Sequence, residues 1–292
     1  MLKDYIRLVR MPQWIKNTFL FVPLLFSLNL FEIDFLEKTI AGFLIFCLTS
    51  SIVYIVNDIS DIDADRAHPV KKDRPLAAGR ISIKSAITLV IALAVPVIIS
   101  LLFFNYKFGI LLFSYFLLNV FYSISFKHIV ILDIFSIAAG FMIRVVSGAY
   151  IINVEISYWL LLTTMFISLF LASMKRHSEL KLLIADQNAA SRKVLSEYST
   201  NLTGQISTIA ASAVIICYAL YTVSQRTISA FGSEKLIYTT PFVVFGIFRY
   251  MYLVYINDEG ENTTQMMITD IPMIVTVFLY VITSVLIIYH FL

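Results

Sequence analysis

Residues 39–75 read TIAGFLIFCLTSSIVYIVNDISDIDADRAHPVKKDRP, an apolar run that ends abruptly in a cluster of acids and bases. An apolar run of this length predicts a membrane-spanning helix. On a continuing helix, Asp58, Asp61 and Asp65 fall within about 60° of one another, whereas Asp63 points to the opposite side. Carboxylates on one face repel unless a cation lies between them, and hard oxygen ligands suit Mg²⁺. The segment therefore predicts a magnesium site that binds a diphosphate group.

The whole chain is unusually apolar. Of its 292 residues 59% are hydrophobic and only 14% are charged, and the mean hydropathy is +0.85. A soluble domain of this length does not need so large an apolar fraction, so we predict a polytopic membrane protein. The fold class is an all-α bundle of about nine transmembrane helices in one domain over residues 1–292, with cytoplasmic loops that cap a central cavity. The predicted spans lie near 16–31, 38–56, 83–104, 108–125, 131–152, 157–174, 203–223, 236–255 and 271–290.

Most loop Lys and Arg residues fall on alternate loops, beginning with the N-terminal segment. Short cytoplasmic loops collect basic residues, so we expect the N-terminus on the cytoplasmic side of a prokaryotic inner membrane. No cleavable signal peptide is apparent. Cys47 and Cys217 lie in predicted spans and indicate buried thiols rather than disulfides. The basic residues follow membrane topology, which argues against nucleic acid as a partner.

The dense polar clusters follow the second, fourth and sixth predicted spans, on one side of the membrane, and so point to one shared site. In the first loop, Asn57 and the acids are followed by Arg66, Lys71 and Arg74, which are candidates for binding phosphate. The alternative is a solvated loop whose basic residues face anionic lipid. Acids on that side have no lipid partner, so the alternative is weaker for the carboxylates.

The second loop contributes Tyr122, Lys127 and His128 at the membrane surface and Asp133 just inside the next span. Arg144 follows eleven residues later, on the same helix face but about 16 Å away, too far to pair with Asp133. Ionisable groups at membrane depth are costly, which makes Arg144 a functional candidate. A structural ion pair with another helix is the alternative. Gly140 and Gly148 are expected to permit close helix packing.

The third loop is a polar stretch from Lys175 through Asp186 to Lys193, which we expect to cap the site. Lys175, Arg176 and Glu179 are its candidate functional residues. The alternative reading is that Lys175 and Glu179, four residues apart, form a surface pair worth a few tenths of a kcal/mol.

Asn57, Asp58, Asp61 and Asp65, placed after the second span, resemble the first motif of the UbiA superfamily of membrane prenyltransferases. A longer match resembles one branch, the decaprenyl-phosphate phosphoribosyltransferases, and extends over nearly the whole chain. It consists of Arg10, Gln13, Trp14, Lys16 and Asn17; Asp65, Arg66, His68, Pro69, Lys71, Arg74, Pro75, Ala77 and Gly79; Tyr122, Ser123, Lys127, His128, Leu132, Asp133, Gly140, Phe141 and Arg144; and Lys175, Arg176, Glu179 and Leu180.

This resemblance implies Mg²⁺ at Asp58, Asp61 and Asp65, phosphoribosyl pyrophosphate as donor and a polyprenyl phosphate as acceptor. It implies catalytic roles for Asp58, Asp61, Arg144 and Lys175. Substrate contacts are implied for Lys16, Asn57, Arg66, Lys71, Arg74, Tyr122, Lys127, His128, Asp133, Arg176 and Glu179.

The loop after the sixth span departs from relatives that prenylate aromatic acceptors, which usually carry a second Asp-rich motif there. Only Glu179 and Asp186 remain in this loop, among basic residues. The departure favours the phosphoribosyl branch. An aromatic-acceptor prenyltransferase is the nearest rival, and a transporter or a purely structural membrane protein is more remote. Assembly into a homo-oligomer stays open.

Overall fold

The computed structural model describes residues 2–67, 71–185, 193–256 and 269–291. Every regular element in these residues is helical, and none of them forms a strand. The predicted all-α fold is confirmed. The α-helices are α1 Leu2–Val9, α2 Val22–Leu25, α3 Ile33–Ser60, α4 Ile62–Ala67, α5 Ile83–Ser100, α6 Tyr106–Ile124, α7 Leu132–Ile151, α8 Tyr158–Ala185, α9 Thr200–Val223, α10 Gln225–Phe231, α11 Thr240–Tyr255 and α12 Ile271–Ile288.

Eight helical segments in the described part of the chain are long and apolar enough to cross a membrane. Each coincides with one of the last eight predicted spans. They are Ile33–Ser60, Ile83–Ser100, Tyr106–Ile124, Leu132–Ile151, Tyr158–Leu183, Thr200–Val223, Lys235–Tyr255 and Ile271–Ile288. The apolar helices and the family assignment given below make this an integral membrane protein.

The first predicted span, residues 16–31, has a different structure. It lies in a 3₁₀ helix, Met11–Phe21, that is followed by the single turn of α2. Arg10 precedes this segment with a left-handed backbone (φ 56°), and Pro23 enters the first turn of α2. Proline lacks an N–H and is best tolerated in the first turn of a helix, which is where Pro23 lies in α2. The estimate of about nine spans thus includes one irregular segment.

Several helices begin at a side chain that caps their first turn. The side chains of Ser82, Asn105, Ser199 and Asp270 each accept a hydrogen bond from a backbone N–H two or three residues later. Such caps satisfy donors that have no partner within the helix. They fix where α5, α6, α9 and α12 start.

The chain divides into two compact units, and each has its own core. The first unit comprises Met1–Phe126 and Ile143–Val154, and the second comprises Lys127–Met142 and Glu155–Leu292. The first unit buries Phe46 and Phe108 completely. The second unit is centred on Phe170 and Tyr250, whose rings meet edge to face at 5.3 Å. The expectation of a single domain over residues 1–292 stays a prediction.

Within the first unit, α7 approaches the 3₁₀ helix Met11–Phe21 very closely at Gly148. A Cβ atom on Gly148 would lie only 2.1 Å from the carbonyl oxygen of Leu20. Only glycine allows backbone segments to come this near. This contact fixes the 3₁₀ helix against the second half of α7.

Candidate functional site

The acidic segment of the first unit keeps its helical register through a break. α3 ends at Ser60, and α4 begins at Ile62. Across the break the N–H of Asp61 donates to Asn57 O at 2.9 Å, and the N–H of Asp65 donates to Asp61 O at 2.8 Å. Because the i to i−4 pattern continues, Asp58 and Asp65 lie on the same side, two turns apart.

Asp58 and Asp65 converge on one guanidinium group. Nη1 of Arg74 donates to Asp58 Oδ1 at 3.0 Å and to Asp65 Oδ2 at 2.6 Å. Arg10 forms a second, short ion pair with Asp58. Both aspartates are only 3% exposed. Asp63 instead has a side chain that is 91% exposed and pairs loosely with Arg66 at 3.4 Å.

This arrangement suits a cation. Two buried carboxylate oxygens already share one positively charged nitrogen, and hard oxygen ligands of this kind match Mg²⁺. Asp61, the third ligand expected from sequence, forms the C-terminal cap of α3 and is partly exposed. Over the described ranges, no group of three His, Cys, Asp or Glu side chains is close enough to hold a metal ion. The structure therefore brings two of the three carboxylates together.

The other candidates of the first unit surround this pair less tightly. Nε of Arg66 donates to the carbonyl oxygen of Ala77 at 3.3 Å, which connects α4 to the loop before α5. Lys71 lies in a short 3₁₀ helix, Lys71–Asp73, that leads into Arg74. The remaining candidates of this unit are all partly exposed and are Lys16, Asn57, Lys71 and Tyr122.

Arg144 lies at the centre of a second polar cluster in the first unit. Its Nε donates to Asn17 Oδ1 at 2.8 Å, and its Nη2 donates to the Tyr115 hydroxyl at 3.0 Å. The guanidinium carbon lies 5.4 Å and 4.8 Å from the ring centroids of Phe46 and Tyr115. Hydrogen bonds and cation–π contacts together hold the guanidinium of a residue that is 5% exposed.

The second unit contains a buried cluster around Asp133 and Arg176. Nε of Arg176 donates to Asp133 Oδ2 at 2.7 Å, and Nη1 of Arg176 pairs with Glu179. The Tyr198 hydroxyl donates to Asp133 Oδ1 at 2.7 Å and accepts the N–H of Ile131 at 2.6 Å. Burial and the bond to Asp133 raise the pKa of Tyr198 above its usual range, so its hydroxyl stays a donor.

Lys175 is far more exposed than the adjacent Arg176 of this cluster. Its Nζ lies 4.0 Å from Glu179 Oε1, and its side chain is 43% exposed. Lys127 and His128 form a 3₁₀ turn, Phe126–His128, shortly before α7, where Lys127 is partly exposed and His128 is exposed. Among the candidates of this unit, Lys127, His128 and Lys175 are thus the accessible ones. Asp186 and Arg192, in the predicted capping loop, lie outside the described residues.

Sequence reasoning gave no role to four residues that hold these clusters. Arg10 and Asn17 belong to the N-terminal motif, and membership of that motif could have marked them as candidates. Their partners could not be predicted, because Asp58 and Arg144 are far away in sequence. Nothing in the sequence distinguished Tyr115 and Tyr198 from other aromatic residues, which are frequent in every span. Asn17 and Tyr115 are partners of Arg144, whereas Arg176 and Tyr198 are partners of Asp133.

The model of the UbiA prenyltransferase family matches residues 20–288 of this chain. Three relatives named decaprenyl-phosphate phosphoribosyltransferase align with most of it. The protein of Mycolicibacterium smegmatis is 36% identical, over 75% of this chain and 70% of its own length. That of Corynebacterium glutamicum is 34% identical over 87% and 78%, and that of Mycobacterium tuberculosis is 30% identical over 84% and 81%.

Solved structures support the same fold. A UbiA homologue from Archaeoglobus fulgidus, bound to GPP and Mg²⁺, superposes with a TM-score of 0.72 at 16% identity, covering 98% of this chain and 99% of that one. A digeranylgeranylglyceryl phosphate synthase superposes with a TM-score of 0.67 at 18% identity, covering 99% of both chains. The resemblance seen in the sequence motifs is confirmed, and the chain is an enzyme that belongs to the UbiA prenyltransferase family.

Proposed function

We propose that the protein transfers the 5-phosphoribosyl group of phosphoribosyl pyrophosphate to a polyprenyl phosphate. The products are pyrophosphate and polyprenylphosphoryl-5-phosphoribose, which serves cell-envelope glycan synthesis. The reaction takes place at the cytoplasmic face of a prokaryotic inner membrane. Three relatives that carry the name of this activity, at 30–36% identity, support the proposal.

The observation that carries the proposal is the convergence of Asp58 and Asp65 on Arg74. Two carboxylates at 3% exposure are costly to bury unless positive charge compensates them, and Arg10 and Arg74 do so here. Asp58, Asp65 and the neighbouring Asp61 would hold Mg²⁺, which a UbiA homologue of the same fold binds. When bound, Mg²⁺ neutralises the diphosphate as it leaves.

The basic residues beside the acids bind the phosphates of the donor. Arg74 presents a planar guanidinium, which suits bidentate binding of phosphate, and Lys71 lies three residues before it. Lys127 and Lys175 are assigned to phosphate binding within the second unit, where each can act as a point charge. Arg176 is already engaged by Asp133 and Glu179, so we assign it to positioning α8 beside Lys175.

Transfer requires one bond to form as another breaks. The bond from the ribose C1 to the diphosphate oxygen breaks, and a bond from C1 to an oxygen of the lipid phosphate forms. That oxygen is anionic at neutral pH, so no general base is needed. Positioning and electrostatic stabilisation supply most of the rate. Arg144, whose guanidinium is fixed by Asn17 and Tyr115, is assigned to the lipid phosphate.

The test is an assay of membranes that contain the full chain. Phosphoribosyl pyrophosphate labelled in the ribose is supplied with polyprenyl phosphate, in the presence of Mg²⁺ or of a chelator. We expect labelled lipid only with Mg²⁺. A parallel assay supplies labelled prenyl diphosphate with 4-hydroxybenzoate. Transfer of label in that assay, with none from phosphoribosyl pyrophosphate, would instead identify an aromatic-acceptor prenyltransferase.

A further inference from the structure

The second unit contains a groove that none of the residues assigned to the transfer lines. It lies between α8, α9 and α11 and has a volume of about 500 Å³. Six of the residues that line it bear on the kind of ligand it could bind: His177, Asn201, Gly204, Gln205, Thr208 and Tyr255. Among the residues that the structure describes, no carboxylate, lysine or arginine lines this groove.

The hydrogen bonds around His177 favour one tautomer of its ring. Nδ1 lies 3.1 Å from the Thr203 hydroxyl oxygen. That hydroxyl also has the backbone carbonyl oxygens of Ser199 and Thr200 within reach, at 3.0 and 3.1 Å, as acceptors for its single proton. When it donates to either of them it accepts from Nδ1–H, and the neutral ring then presents Nε2 as an acceptor.

This Nε2 atom has no hydrogen-bond partner among the residues that the structure describes. His177 is 5% exposed, and its ring packs edge to face against Tyr255 at 4.8 Å. A buried acceptor without a donor is unfavourable, and such groups call for a specific explanation. A hydroxyl of a ligand in the groove supplies the missing donor.

The first turns of α9 extend the polar wall of the groove. Asn201, Gln205 and Thr208 are all exposed and recur at the spacing that aligns side chains on one helix face. They lie on a helix long and apolar enough to span a membrane. The two amides contact each other only weakly, from Gln205 Nε2 to Asn201 Oδ1 at 3.5 Å, and each keeps further donor and acceptor capacity for a ligand. Ile209 beside them is 68% exposed and offers an apolar contact.

We propose that this groove binds the polyhydroxylated headgroup of a membrane lipid, with a headgroup hydroxyl donating to Nε2 of His177. The amides of Asn201 and Gln205 both donate and accept, which matches a group that carries several hydroxyls. The exposed Ile209 lies where the acyl chain begins. A bare phosphate is disfavoured because the neutral imidazole presents a lone pair. The inference is independent of the proposed transfer.

The test measures lipid binding to the purified full chain in detergent, by native mass spectrometry and by the shift in unfolding temperature. Phosphatidylglycerol, whose headgroup carries two hydroxyls, is compared with phosphatidylcholine and phosphatidic acid. We expect phosphatidylglycerol to bind at least about tenfold more tightly than either. Equal binding of phosphatidic acid would mean that phosphate is recognised, and equal binding of phosphatidylcholine would mean that headgroups are not distinguished. Either result overturns the proposal.

Variants locate the binding. His177→Phe keeps a ring against Tyr255 but removes the acceptor, and Gln205→Leu changes an exposed side chain that the fold does not need. Each should weaken phosphatidylglycerol binding about tenfold, as expected for a lost hydrogen bond. The matched control is Ser212→Leu, on the same exposed helix face but outside the groove. Unchanged binding by Gln205→Leu and His177→Phe, or equal loss in Ser212→Leu, would refute the site.

Discussion

Arg176 and Asp133 form an ion pair in which both side chains are buried. Nε of Arg176 lies 2.7 Å from Asp133 Oδ2, and the two side chains are 2% and 0% exposed. The second carboxylate oxygen accepts the Tyr198 hydroxyl. Charges buried this far are tolerated when they are paired and hydrogen-bonded. The pair joins the first half of α7 to α8.

Removing the cation of this pair should destabilise the protein strongly. Arg176→Met fills a similar volume but leaves the buried Asp133 carboxylate with the Tyr198 hydroxyl and without its charged partner. We expect the free energy of unfolding to fall by about 3–5 kcal/mol, the usual cost of an uncompensated buried charge. Denaturant unfolding in detergent, followed by circular dichroism, measures it.

The control for this prediction is Arg226→Met in the same unit. Arg226 pairs with Glu155 at 2.9 Å, but the two side chains are 49% and 88% exposed. Exposed pairs contribute little, so the change should stay within about 0.5 kcal/mol. Similar losses of unfolding free energy in both variants would mean that burial does not determine how much the Arg176–Asp133 pair stabilises the protein.

The acidic segment should separate into essential and dispensable carboxylates. Asp58→Asn preserves shape but removes the charge of a buried group that faces Arg10 and Arg74. We expect transfer to fall at least about a hundredfold, the scale of losing an electrostatic contact to the reacting group. Asp63→Asn should keep most of the activity, because that side chain is 91% exposed.

Initial rates in membranes, with unfolding curves to verify that both variants fold, measure this difference. The Asp63 variant is the matched control, since it makes the same chemical change five residues away. Equal loss in both variants would contradict the assignment of one acidic face to the metal.

Local periodicity predicted the arrangement of the acids for a physical reason. The N–H groups of Asp61 and Asp65 continue the helical hydrogen-bond pattern past the end of α3, so a calculation for an unbroken helix still applies. The eight long helices were predictable because apolar length alone determines which segments can cross a membrane.

Other features depend on contacts that no local pattern contains. Arg144 meets Asn17, which lies 127 residues before it, and Tyr115, which lies 29 residues before it. The 3₁₀ helix Met11–Phe21 replaces the first half of a predicted span, although its composition is apolar. Its position is fixed by the approach of Leu20 to Gly148, which only the folded chain brings together.

That approach gives a prediction about stability. In Gly148→Ala, the new Cβ would lie 2.1 Å from Leu20 O, a backbone atom that cannot rotate away. The 3₁₀ helix or α7 must shift, and we expect a loss of about 1–3 kcal/mol in the free energy of unfolding. Denaturant unfolding in detergent is the measurement.

Gly246→Ala in α11 is the control, because a Cβ there meets nothing within 4 Å. Alanine is favoured over glycine within a helix, so this variant should be neutral or more stable by up to about 1 kcal/mol. A stable Gly148→Ala variant would show that the 3₁₀ helix moves without cost.

The ion pair between Arg249 and Asp270 predicts a pH dependence. Arg249 donates to both carboxylate oxygens, at 3.1 and 2.7 Å, and these hydrogen bonds lower the pKa of Asp270 from 3.8. A carboxyl with a lowered pKa stabilises the fold above its unfolded pKa, and that stability is lost as the pH falls through the folded pKa. Wild type should therefore exceed Arg249→Gln in stability at pH 7, by an amount that shrinks below about pH 4.

Unfolding temperatures of both proteins between pH 7 and pH 3 measure the difference, and comparing the two removes the titration of groups they share. Arg66→Gln serves as the control: it loses the hydrogen bond to Ala77 O at every pH, and its partner Asp63 is 91% exposed, so its difference from wild type should hardly change with pH. A gap between wild type and Arg249→Gln that stays constant down to pH 3 would mean that packing of the Arg249 side chain, rather than its charge, stabilises the start of α12.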